Sequence, residues 1–329
     1  MTPIRALLAA LAVGITLMGA LAGSAAPPLK SRTLRFTYKA VVRDLPAGAK
    51  SLDVWLPYPQ TDENQTVHQV KLDAPGPVTI GREPRHGNEA VYFHKDNPRG
   101  PVTLTMEVTA TRWENAGHPA TLTAAETASY LAADPLVPLD GPVKNLALAA
   151  TRGQKSDAEK ARAIYDKVTG MMKYDKSGTG WGRGDAVYAC DAKRGNCTDF
   201  HALIIGMARS QGIPARFSIG FPLPEARGAG EIPGYHCWAE LYLKGRGWVP
   251  VDSSEAAKNP SKKDYFYGHH DENRLQFSRG RNVTLSPPQK GDPLNFFVYP
   301  YAEVDGKKYE AVDRKFGFQD VSDAAVARR

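Results

Sequence analysis

Three side chains of the types needed for thiol chemistry stand in an order that could bring them together: Cys197, His236 and Asp252. A cysteine nucleophile needs a base to hold it as thiolate. The base needs a carboxylate to fix its tautomer and stabilise the imidazolium. Gly195-Asn196 breaks the chain just before Cys197, and Phe200, Leu203, Ile204 and Met207 then recur at helical spacing. Gly212 is a stop signal for that helix. Cys197 therefore falls in the first turn of a largely buried helix, where free N–H groups and partial positive charge favour a thiolate. Asp199 opposes this by charge, but two positions on it lies roughly 200° around the helix and should face elsewhere.

Gly234 to Leu243 reads as a strand. His236, Trp238, Glu240 and Tyr242 share one face, while Cys237, Ala239, Leu241 and Leu243 share the other and look core-facing. Lys244-Gly245-Arg246-Gly247 makes a hairpin to Trp248–Asp252. A three-residue loop centred on Gly245 puts Asp252 opposite Trp238 and diagonal to His236, within side-chain reach. A two-residue loop would turn Asp252 to the wrong face, leaving Glu240 the first alternative as orienter.

Four segments in this order resemble the transglutaminase-like superfamily: Gly195-Asn196-Cys197-Thr198-Asp199-Phe200, Gly212-Ile213-Pro214-Ala215-Arg216, His236-Cys237-Trp238-Ala239-Glu240 and Gly247-Trp248-Val249-Pro250-Val251-Asp252. The resemblance covers about Asp157 to Ala256. It implies a papain-like α+β core and thioester chemistry, with Cys197, His236 and Asp252 at the catalytic positions. The multidomain layout and calcium sites of animal cross-linking enzymes are missing, so calcium dependence does not carry over.

Other residues are weaker candidates. Trp181, His201 and Trp238 are the side chains considered for substrate or oxyanion contact. His201 lies one helical turn from Cys197, with plain packing as the equal alternative. Trp181 sits in the glycine-rich stretch Gly178–Gly184, where anchoring the loop is the competing role. That stretch lacks the Lys-Ser/Thr ending of a phosphate loop, and no cofactor is expected. Cys190 and Cys237 read as small core residues, with a disulfide between them left open. A zinc site drawn from Cys190, Cys197, Cys237 and His201 has no paired-ligand spacing behind it. His269-His270 reads as surface.

The elements that must position these groups divide the chain. Residues 29–115 alternate apolar and polar positions, as in Leu34, Phe36 and Tyr38, between turn clusters, and read as an immunoglobulin-like β-sandwich. Residues 120–260 form the α+β core. There Ser156 and Glu159 make a capping box ahead of Ala161, Ile164, Tyr165, Val168 and Met172 at helical spacing. Residues 261–320 read as a C-terminal β extension. The 329 residues suit about two domains, and 42% hydrophobic content suits a globular chain. A formal charge of +7, without a dense basic tract, gives no reason to expect a nucleic acid partner. Arg5, the apolar run from Ala6 to Gly23 and the small residues after it make residues 1–25 a secretory signal, cleaved after Ala25 and leaving no membrane span.

The expectation is an exported, secreted or periplasmic, cysteine-dependent enzyme acting on amide groups of a protein or peptide substrate. The alternative is a non-catalytic protein that uses the same cleft to bind a protein or cell-wall peptide.

Overall fold

The computed structural model describes residues 29–322, and the signal segment expected at residues 1–25 lies outside them. Six strands come first: β1 (Ser31–Val42), β2 (Ser51–Tyr58), β3 (Gln65–Asp73), β4 (Val78–Arg82), β5 (Glu89–Asp96) and β6 (Val102–Trp113). Helices α1 (Ala124–Leu131), α2 (Gly141–Ala150) and α3 (Asp157–Met171) follow. Short β7 (Lys173–Tyr174), α4 (Ala186–Ala192) and short β8 (Arg194–Gly195) lead into α5 (Cys197–Ser210). Then come β9 (Ala215–Pro222), β10 (Ala229–Glu231), β11 (His236–Leu243), β12 (Gly247–Val251) and α6 (Ser253–Lys258). The last strands are β13 (Arg274–Arg279), β14 (Tyr301–Val304), β15 (Lys307–Lys308) and β16 (Val312–Asp320). Among the described residues no helix is long and apolar enough to cross a membrane.

The alternation read in β1 is real: Leu34, Phe36, Tyr38, Ala40 and Val42 are buried while Arg35 and Lys39 are exposed. Its partner β6 presents Val108 beside Phe36 and Met106 beside Tyr38. This is one sheet of a sandwich, in the order β10-β16-β1-β6-β3. The other runs β15-β14-β2-β5-β4, and its buried Leu52, Val54 and Leu56 join the first sheet's side chains in one hydrophobic cluster.

The sandwich is not confined to residues 29–115. β14 pairs with β2, and β16 pairs with β1 from Leu34↔Asp320 to Val42↔Val312. Phe316 and Phe318 supply part of its core. The last strands of the C-terminal segment, β14, β15 and β16, thus complete the sandwich, while its β13 pairs with β9 in the middle unit. An edge strand needs a partner, and here the partner arrives some 270 residues later, beyond the range of any local pattern.

The remaining strands form the antiparallel sheet β12-β11-β9-β13. Helix α5 packs on β11 and β9, with α2, α3 and α4 against it, and is buried along nearly its whole length. Its end is a Schellman arrangement: Ile213 N donates to Ala208 O at 3.0 Å, Gly212 N donates to Arg209 O at 3.0 Å, and Gly212 takes φ +80°. The Ser156–Glu159 capping box starts α3, whose Ala161, Ile164, Tyr165 and Val168 are buried.

Sandwich and core share an interior. The Phe36 ring lies 4.9 Å from Phe221 and 5.3 Å from Phe277. Gln65 of β3 and the Gln276 backbone of β13 exchange hydrogen bonds of 3.0 and 2.9 Å. The sandwich therefore sets where β13 lies. Phe316→Ala should cost about 3–5 kcal/mol in urea denaturation. Residues 29–115 expressed alone should show no cooperative unfolding, and a cooperative transition for that fragment would contradict the shared sandwich.

Candidate active site

Cys197 is the first residue of α5, after the N-cap Asn196. Asn196 Oδ1 accepts from Thr198 N at 2.9 Å. Asp199 turns away from the thiol, as its angular position requires, and folds back over the helix start. It accepts from Asn196 N at 2.9 Å, Gly182 N at 2.7 Å and Gly184 N at 2.9 Å. One carboxylate thus closes the capping box and pins the glycine-rich loop. Gly195 is required here: its φ is +153°, and a Cβ would stand 2.3 Å from Asp199 Oδ2.

The hairpin takes the three-residue loop, pairing Leu243 with Gly247 and Tyr242 with Trp248. Asp252, just past β12, is the N-cap of α6 and is fully buried. Its Oδ2 accepts from His236 Nε2 at 2.7 Å and from Arg274 Nη1 at 3.0 Å. Its Oδ1 accepts from Ser254 Oγ and Glu255 N, both at 3.0 Å. His236 also stands beside the Cys197 thiol, close enough for each to shift the other's ionisation. With Nε2 committed to Asp252, Nδ1 is the atom left for sulfur. Glu240, the alternative orienter, is occupied elsewhere, by Arg216 Nε at 2.6 Å and Asn115 Nδ2 at 3.1 Å.

The charges follow from this packing. Burial alone would push the Cys197 thiol up, but hydrogen bonds from Cys237 and His236 and the charge on His236 hold it well below its ordinary value. Burial would lower His236, yet the Asp252 carboxylate and its hydrogen bond raise it to about 10. Burial would raise Asp252, but the charge and hydrogen bond of His236 and the charge of Arg274 hold it well below the carboxylate range. The packing thus favours the thiolate of Cys197, the imidazolium of His236 and the carboxylate of Asp252.

The weaker candidates divide between their alternative roles. The Trp181 indole donates to Gly178 O at 3.1 Å, so it anchors its own loop. His201 and Trp238 are 0% and 1% exposed, as deeply buried as Cys197 at 1%. Trp238 instead sits between two cations, its ring 5.1 Å from the Arg274 guanidinium and 6.0 Å from that of Arg112. His270 is fully buried, not surface, and burial followed by the Arg274 charge lowers it to about 3, keeping it neutral. Cys190, Cys197 and Cys237 are all free thiols, and Cys190 Sγ faces Pro142 O at 3.7 Å. Cys237 does point inward, but inward is the face covered by α5, so its thiol meets Cys197 and His201. Arg274 escaped the sequence reading because nothing local in a strand marks an arginine that crosses to a carboxylate in another element.

Residues 144–253 match the model of the transglutaminase-like superfamily. The chain carries a transglutaminase-like core. The match spans α3, α5, β9, β11 and β12, which are the elements that hold Cys197, His236 and Asp252. An uncharacterized protein of Haemophilus influenzae is 28% identical over 324 residues, covering 85% of this chain and 87% of the relative. YebA of Bacillus subtilis, also uncharacterized, is 26% identical over 134 residues, 36% of this chain and 18% of YebA. A candidate cysteine protease from Cytophaga hutchinsonii shares this chain's fold, with a TM-score of 0.55, 14% identity and coverage of 89% of this chain and all of that one.

A thiol held well below its ordinary value ionises at lower pH than a free cysteine. Iodoacetamide should therefore alkylate Cys197 with its rate rise displaced to lower pH than the rise near about pH 8.5 of an ordinary cysteine. A rise near about pH 8.5 would show that the ion pair is not formed. Gly195→Ala should lower stability by more than about 1 kcal/mol, because the native φ does not suit a side chain. It should also slow that alkylation by disturbing Asp199, and thermal melts with timed labelling check both effects.

Proposed function

We propose that this chain is an exported cysteine-dependent acyl-transfer enzyme that acts on amide or carboxamide groups of proteins or peptides through a thioester on Cys197. The observation that carries the reading is the pairing of a helix-start thiol with an imidazole whose far nitrogen is held at 2.7 Å by a buried carboxylate. The Cys197 thiolate attacks the carbonyl carbon. The oxyanion that forms is met by the backbone N–H of Cys197, since the first N–H groups of a helix lack intrahelical partners. His236 gives the Nδ1 proton to the departing amine or ammonia as the C–N bond breaks. It then takes a proton from the acceptor, whose attack on the thioester frees Cys197. Asp252 keeps His236 in the right tautomer and favours its charged form. No cofactor is needed for any step. Water as acceptor gives peptide cleavage or deamidation, and a primary amine gives cross-linking.

Incubation with a peptide library, with and without a primary amine, separates these outcomes by mass: cleavage, conversion of a carboxamide to a carboxylate, or amine incorporation. Cys197→Ala and His236→Ala should abolish whichever is found. Asp252→Asn should leave a residue after a loss of about 10²–10⁴-fold. Unchanged turnover by a folded Cys197→Ala protein would end the reading.

A further inference from the structure

Cys237 and His201 take no part in that cycle, yet they repeat its chemistry on the other oxygen of the same carboxylate. Asp252 Oδ2 holds His236, which stands beside Cys197. Asp252 Oδ1 lies 3.5 Å from His201 Nε2, and His201 Nδ1 lies 3.6 Å from Cys237 Sγ. The second arm meets the first, because Cys237 lies against His201, one helical turn from Cys197 on α5, and the two thiols are close enough to perturb each other's ionisation. The two imidazoles stand edge to face with centroids 6.5 Å apart.

Local geometry builds this second arm. Cys197 and His201 are four residues apart on α5, so they share a helical face. Cys237 lies on the face of β11 that this helix covers, one residue from His236 at the strand's start. Packing alone would be served by apolar side chains in both places. Instead a fully buried histidine sets Nδ1 3.6 Å from a thiol, while its Nε2, 3.5 Å from the carboxylate, makes no hydrogen bond, and Nδ1 is placed to take a proton from sulfur. Burial keeps His201 below its ordinary value and therefore able to accept.

We propose that Cys237 is a resolving thiol for oxidised Cys197, with His201 as its base, so that hydrogen peroxide closes the site into a reversible Cys197–Cys237 disulfide. The Cys197 thiolate attacks peroxide, breaking the O–O bond to give the sulfenic acid and hydroxide. His201 Nδ1 takes the Cys237 proton, and the Cys237 sulfur attacks Cys197 Sγ. The S–S bond forms, the S–O bond breaks, and the departing hydroxide takes a proton to become water. Two thiols are oxidised and one peroxide is reduced to two waters. Without such a neighbour a sulfenate goes on to sulfinate, which is not reversed by thiols. The proposal rests on the reading of Cys197 as a reactive thiolate, and peroxide is smaller than any peptide that thiolate would meet.

Trypsin separates the three cysteines into the peptides Gly184–Lys193, Gly195–Arg209 and Gly228–Lys244. Reduced protein is treated with equimolar hydrogen peroxide, blocked with iodoacetamide, digested without reductant and analysed by mass spectrometry. The expected product is Gly195–Arg209 linked to Gly228–Lys244 with two hydrogens lost, and dithiothreitol should restore alkylation of Cys197. In Cys237→Ser the Cys197 peptide should instead carry a sulfenate that dimedone traps at equimolar peroxide, and a second equivalent should take it to a sulfinate that dithiothreitol does not reverse. In His201→Gln the linkage should slow about tenfold or more, with the sulfenate trapped by dimedone. A sulfinate at Cys197 in the native chain with Cys237 still alkylated, or a link to Cys190, would overturn the proposal, and the native chain decides this even if a variant does not fold. Alkylation of untreated protein separates the two readings. An unreactive Cys197 defeats both, whereas a reactive Cys197 that never links to Cys237 defeats only this one.

Discussion

A carboxylate buried out of reach of water is costly unless donors surround it, and Asp252 is such a group. Four hydrogen bonds reach it, from His236, Arg274, Ser254 and the Glu255 backbone. Each comes from a different requirement of the fold. The Ser254 and Glu255 donors exist because the chain turns into α6 directly after β12. His236 arrives because the hairpin loop has three residues and not two. Arg274 arrives on β13, whose place is set by the sandwich behind it through Gln65, Phe36 and their partners. The sandwich thus contributes to the site without touching it.

The guanidinium of Arg274 is itself held. Asp271 Oδ2 takes Nη2 at 3.1 Å, and the face of Trp238 lies against the charge. Cation–π contact suits a desolvated arginine, which explains why a tryptophan on the His236 face is buried instead of lining a cleft. On the far side of His236 the negative charge is completed by sulfur. A positive ring between two anions is a stable arrangement in a dry site, because each charge offsets the cost of burying its neighbour. Cutting any one contact would leave the others uncompensated.

What could be read from sequence was what local rules determine. The start of α5, its glycine stop and its buried face follow from capping residues and a helical period, and all are present. The register of β11 and β12 follows from one loop length. The angular position of Asp199 was also legible, although its grip on Gly182 and Gly184 was not. What escaped depends on distant segments meeting. Alternation along β11 says that Cys237 faces inward, but not that α5 lies there with Cys197 and His201 on its near side. The strand pattern of residues 261–320 marks strands, but not that β16 joins β1 or that Arg274 reaches Asp252. His270 reads as surface because two adjacent polar residues usually are; here Asn115 pairs with its backbone and draws the segment inward.

The central claim is that buried Asp252 keeps His236 charged beside an ionised Cys197. Nitrogen-15 NMR of the His236 ring in the reduced full chain tests it most directly. The account predicts an imidazolium protonated on both nitrogens at neutral pH, losing its proton only near pH 10, and a clear downward move of that midpoint in Asp252→Asn. A His236 ring that is neutral at pH 7 and titrates near about 6.5, the ordinary histidine value, would contradict it.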